Sequence, residues 1–181
     1  MAEPVRIKEI PENELSPDQA KVFKDLVAGR GRLLTPYKIW IHSPMLAAAL
    51  ETIGTFLNKK SSLTEREVEL TICIIANHWK GEYVWAAHVK MCRDLGFPQS
   101  VFDAISAGQT PALDNERERV VYDLAKISME PGGGSDEVFA RAEKLLGRNG
   151  IAEVVALLGY YTSVAMGMKL HRVPVPAPAK T

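Results

Sequence analysis

Cysteine is scarce in this chain: two residues, Cys73 and Cys92, in 181. Each sits in apolar or mixed helical sequence and the pair lacks CxxC spacing, which excludes a disulfide scaffold and leaves reduced, buried thiols as the expectation. Net charge is missing as well, because 22 basic residues balance 22 acidic ones. Without a basic block or stripe there is no electrostatic footprint for a nucleic-acid partner. The sequence has no GxGxxG, GxxxxGK[ST] or GxSxG, which sets aside the common nucleotide-binding and serine-hydrolase readings. His42, His78, His88 and His171 show no HExxH or comparable ligand spacing, so neither a metal site nor a cofactor is expected.

Long hydrophobic runs are also lacking. The longest uncharged stretch near the C-terminus, residues 154–168, has 15 residues, against about 20 needed to span a bilayer. The opening "MAEPVRIKEI" lacks the apolar core of a secretory signal, so a cytoplasmic protein without a membrane partner is expected. With 46% hydrophobic and 24% charged residues, the composition is that of a soluble globular protein. One domain over residues 1–181 is expected, with 1–15 as an N-terminal extension and 172–181 as a Pro-rich tail.

What is present is helical punctuation. Ser16 with Pro17, and Ser43 with Pro44, read as N-cap and first-turn pairs, the first helix closing at Gly29 and the second running to about Asn58. Thr64 with Glu67 three residues later forms a capping box. The apolar run 70–76 that follows suits a buried strand on composition. The capping box and a length near 16 residues favour a helix that is apolar on nearly every side, hence central. Further helices are expected over 82–96, over 98–108, from an Asp114 cap to the breaker "PGGGS", over 135–147 and over 150–171. No alternating strand pattern of useful length occurs, so the fold class is all-α, a compact bundle of about eight helices. The last helix is rich in small residues, including Ala156, Gly159, Ser163 and Ala165. Such residues serve core packing or a subunit interface equally, and we expect a homo-oligomer.

The chemistry concentrates in "EYVWAAH", residues 82–88. Helical spacing places Gly81, Val84, Trp85 and His88 on one side, with Glu82 on another flank. On the preceding helix Glu69 lies in a stripe with Cys73 and Ala76, among the apolar neighbours Val68 and Leu70, a setting that suits a general acid. The spacing alone does not bring Glu69 to His88. Glu69 also suits the helix dipole as a first-turn acid, a lone helical histidine often serves structure, and Tyr83 and Trp85 serve equally as core or interface anchors.

Taken together, "LTEREVEL…GEYVWAAHVKMCRDLGFPQSVFDAI", "RGRLLTPYKIWIHSPMLAAAL" and "GYYTSVAMGMKLHRVPVP" resemble the carboxymuconolactone decarboxylase family, within the superfamily of alkylhydroperoxidase-like proteins. The likeness runs from about Arg30 to Pro176. It implies a compact all-α fold assembled into trimers or hexamers, with sites near subunit interfaces. The peroxidase branch carries a glutamate, a CxxC and a histidine four residues after the second cysteine. Glu69 and His88 fall on the glutamate and histidine positions, but Gly81 and Val84 occupy the two cysteine positions. A peroxidase of that mechanism needs an attacking and a resolving thiol there.

The resemblance therefore implies the cysteine-free branch: a cofactor-free lyase that decarboxylates a lactone or keto acid in aromatic-compound catabolism. Its catalytic residues would be His88, Glu69 and Glu82, with Tyr83 and Trp85 shaping the pocket. Arg30 or Arg32 would pair with a substrate carboxylate, and both suit a solvated loop equally well. The competing expectations are a thiol peroxidase or disulfide reductase using Cys73 or Cys92, and a non-catalytic oligomeric protein that binds a small molecule.

Overall fold

The computed structural model describes residues 4–31 and 33–175. Eight α-helices and a 3-10 turn at Glu12–Glu14 make up its regular structure, and no strand occurs among the described residues. They are α1 (Pro17–Arg30), α2 (Thr35–Trp40), α3 (Pro44–Lys59), α4 (Glu65–His78), α5 (Glu82–Asp94), α6 (Gln99–Ser106), α7 (Glu116–Ser128) and α8 (Asp136–Leu170).

The centre of the bundle is α4. Every residue from 67 to 76 is buried, and α3, α5, α6, α7 and α8 all lie against it. The expected capping box starts it: the Thr64 hydroxyl accepts from the Glu67 N–H at 3.2 Å, and Glu67 Oε2 accepts from the Thr64 N–H at 2.9 Å. A helix apolar on all sides cannot use a solvated face to fix its register. Two reciprocal ion pairs to α7 do so instead. Arg66 donates to Glu118 at 2.6 and 3.1 Å, and Arg117 donates to Glu67 at 2.7 and 3.2 Å. Both carboxylates are buried, and both arginines are held above their ordinary pKa chiefly by these hydrogen bonds, against the opposing effect of burial.

Three boundaries differ from the sequence reading. α1 closes at Gly31, which takes the left-handed conformation (φ 74°), rather than at Gly29. Asn115, not Asp114, caps α7, its side chain accepting from the N–H groups of Arg117 and Glu118. The short α2 has no side-chain cap on Leu34, so no polar signal announces it in the sequence. The two expected C-terminal helices run on as α8 but are broken at Gly147, whose φ of 71° and ψ of 171° are not helical. α8 is long and apolar enough, by length and composition, to cross a membrane. One of its faces lies against α4 and α7 in the core.

Candidate functional site

α4 and α5 are joined by the turn 79–81 and packed on one another. Gly81 sits at the first of the two cysteine positions in the implied motif, and its place is steric. A Cβ there would stand 3.1 Å from the Ala165 Cβ of α8. Val84, at the second position, is buried. The hairpin thus closes tightly onto α8 where a redox pair would otherwise need room.

That closure brings together the two residues that spacing alone left apart. Glu69 Oε2 lies 2.6 Å from His88 Nδ1. The side chains are 8% and 16% exposed respectively, so the pair is nearly buried with the histidine on the outer side. The His88 ring meets the Tyr161 ring edge-on, centroids 5.3 Å apart, and the Tyr161 hydroxyl donates to Asn58 Oδ1 at 3.0 Å. With a Glu69 carboxylate accepting, Nδ1 is the donor in this contact, and Nε2 is the ring nitrogen that does not face Glu69. No spacing in the sequence points Tyr161, Asn58 or the approach of α8 to this pair. A polar pair, Tyr160 and Tyr161, within an apolar helix was the available signal.

One turn further along each helix lie the cysteines. Cys73 follows Glu69 by four residues, Cys92 follows His88 by four, and the two sulfurs are 3.7 Å apart. Both are free thiols with no exposed surface. The Cys73 thiol is pushed far above its ordinary range, first by its hydrogen bond with Cys92, then by burial and by the neighbouring charges of Cys92 and Glu69.

The remaining candidates also contact other groups. The Tyr83 hydroxyl bonds to Thr35 Oγ1 at 3.1 Å. Trp85 packs edge-on to Phe102 of α6, 6.3 Å between centroids. Glu82 is exposed in the first turn of α5. With Tyr83 it lines a cavity of about 340 Å³ between the α4–α5 turn and the end of α8, and neither Glu69 nor His88 contributes to that wall. The side chain of Arg30, and Arg32 entirely, lie outside the described residues. No group of three or more His, Cys, Asp or Glu side chains suited to a metal ion occurs among the described residues.

No family model matches the sequence, and no curated protein is significantly similar to it. Solved structures do resemble the fold. An uncharacterized peroxidase-related protein from Silicibacter sp. TM1040 superposes with a TM-score of 0.73 at 16% identity, over 97% of this chain and 94% of that one. An uncharacterized peroxidase-related protein with an alkylhydroperoxidase AhpD core, from Ralstonia eutropha JMP134, gives 0.71 at 16% identity, over 93% and 91%. A cysteine-to-alanine variant of the debrominase Bmp8, in complex with 2,3,4-tribromopyrrole, gives 0.69 at 16% identity, over 94% and 91%. At these identities the likeness establishes an alkylhydroperoxidase-like fold.

Proposed function

We propose that the chain is a cofactor-free enzyme in which Glu69 and His88 form an acid–base dyad acting on a small carboxylated lactone or keto acid, with loss of CO₂ as the reaction. The observation that carries this reading is the 2.6 Å contact between Glu69 Oε2 and His88 Nδ1. A carboxylate on Nδ1 fixes the ring and aims Nε2–H at a bound substrate as the proton donor. In a β-keto acid or carboxylated lactone the bond to the carboxyl carbon breaks and CO₂ leaves. The electron pair passes into the adjacent carbonyl as an enolate, and the Nε2 proton is delivered to carbon. Such chemistry needs no metal and no thiol. The debrominase bound to tribromopyrrole holds a small ring in the same fold, which favours a substrate of that size. Two free thiols in the core suit a reducing compartment, which favours a cytoplasmic location.

The thiol peroxidase or disulfide reductase reading has one observation in its favour, the 3.7 Å separation of Cys73 and Cys92. Against it, neither sulfur is exposed and the thiolate that must attack is suppressed at Cys73. The deciding experiment is CO₂ release from a panel of carboxylated lactones and β-keto acids by wild type, Glu69→Gln and His88→Ala. We expect release by wild type and a fall of roughly 10²–10⁴-fold in each variant, the usual worth of a positioned acid or base. Equal turnover by all three would remove the dyad. Saturable binding without product would favour the binding-protein reading.

A further inference from the structure

Four helices of this fold end in the same hydrogen-bonded C-terminal motif, and comparing them isolates two residues. In α5 the N–H of Phe97 reaches back to Cys92 O (3.0 Å) and that of Gly96 to Arg93 O (2.9 Å). In α6 the corresponding bonds run from Gln109 to Ala104 (2.8 Å) and from Gly108 to Ile105 (3.1 Å). α4 repeats the pattern from Gly81 to Ala76 (2.8 Å) and from Lys80 to Asn77 (3.1 Å). α8 repeats it from Val173 to Met168 (3.0 Å) and from Arg172 to Lys169 (3.0 Å). The motif requires a left-handed residue after the cap, a position that glycine fills without strain. α5 and α6 use Gly96 and Gly108, at φ 87° and 73°. α4 and α8 instead use Lys80 and Arg172, both at φ 52°, the only non-glycine residues at positive φ among the described residues.

Both exceptions are cations, and both line the same cavity of about 340 Å³. Lys169 joins them there. Among the described residues Lys80 and Lys169 bond neutral oxygens, Asn77 Oδ1 at 3.4 Å and the Trp79 carbonyl at 3.5 Å. Among the described residues of the wall Glu82 is the one acid, beside the three formal cations Lys80, Lys169 and Arg172. Strained backbone kept where glycine would relieve it points to a use for the side chain. A helix C-terminus favours a nearby cation, but any position in the last turn supplies that benefit without strain.

We propose that this cavity, between the α4–α5 turn and the end of α8, binds a small organic carboxylate through Lys80, Lys169 and Arg172. Its volume of about 340 Å³ has room for a ring-sized carboxylate. Tyr83, Met168 and Pro174 supply an apolar wall for a ring-sized body. The inference does not rest on the acid–base dyad, which joins α4 to α5 and contributes no residue to this wall.

The test is calorimetric titration of the full chain at low salt with phthalate, and with inorganic phosphate as comparator. Wild type is expected to bind phthalate saturably, one per chain, at least tenfold more tightly than phosphate. Lys80→Gly and Arg172→Gly should melt at or above the wild-type temperature yet bind phthalate at least tenfold more weakly. Lys80→Gln and Arg172→Gln, which keep side-chain bulk, should show the same loss of binding. Three results would overturn the proposal: no phthalate binding by wild type, unchanged binding in all four variants, or equal affinity for phosphate. Melting of the glycine variants below wild type would overturn it too, by showing that the cations serve the fold. Because the titration reads binding alone, its failure leaves the acid–base reading where it stood.

Discussion

Cys73 carries a consequence for pH that is independent of any catalytic role. Its thiol is held protonated in the folded chain by Cys92, by burial and by nearby charge, far above the ordinary value of 9.0. The unfolded chain exposes the same thiol, which then ionises in its usual range. Above about pH 9 the unfolded state therefore binds fewer protons than the folded one, and stability falls as pH rises. The slope from this one group approaches about 1.4 kcal/mol per pH unit. Below pH 8 the contribution is flat. Urea denaturation between pH 7 and 10.5 checks the sign, and Cys73→Ala should flatten the alkaline limb. A thiol reagent should meanwhile find both cysteines unreactive until the chain unfolds. At this same scale Glu69 and His88 are legible by residue type and motif position. Their meeting is not, because it depends on how the turn 79–81 sets α5 against α4, and on the Gly81–Ala165 approach. The pairing of Arg66 with Glu118 and of Arg117 with Glu67 is invisible for a related reason: the arginines and Glu118 read as surface charges, and Glu67 as a capping residue, until α7 is laid across the start of α4.

Among the elements, α8 tests how a boundary is encoded. The sequence expects two helices, one ending at Gly147 and one beginning at Gly150, and the backbone agrees by breaking at Gly147. Its φ of 71° with ψ of 171° belongs to a region that only glycine occupies readily, and a Cβ would stand 2.8 Å from Asn149 Oδ1. Gly147→Ala should therefore destabilise the fold by about 1–3 kcal/mol, read as a lower urea midpoint at unchanged slope. An unchanged midpoint would mean that α8 can straighten, and that the break is not built into the chain. Helices with a polar cap were legible in this way: Ser16, Thr64 and Ser135 each accept a backbone N–H at the start of their helix. The six-residue α2 was not, since Leu34 offers no side-chain cap and its buried Tyr37 and Trp40 give too short a pattern to show a period.

For the whole molecule the open question is what covers the outer faces of α3 and α8, which lie against one another. Met45, Leu46, Ile53 and Phe56 of α3 are exposed, as are Val155, Met166 and Leu170 of α8, with Met45 87% accessible. Ala156 and Gly159 lie on the same outer side of α8, so another helix could approach closely there. Isolated apolar residues on a surface are ordinary, but a row on each of two adjacent helices is the pattern of an association surface. Burying it would contribute roughly 25 cal/mol per Å² of apolar area, which favours the homo-oligomer expected from the sequence. Light scattering on the purified chain at micromolar concentration should give a mass several times that of one chain, with a trimer or hexamer as the specific expectation. Ile53→Glu combined with Val155→Glu should shift it to monomer while leaving the helical circular dichroism intact, because neither side chain belongs to the core. A wild-type monomer at that concentration would rule out self-association as the reason for this face, and sites shared between subunits with it. A double variant that stays assembled would place the contact elsewhere on the bundle.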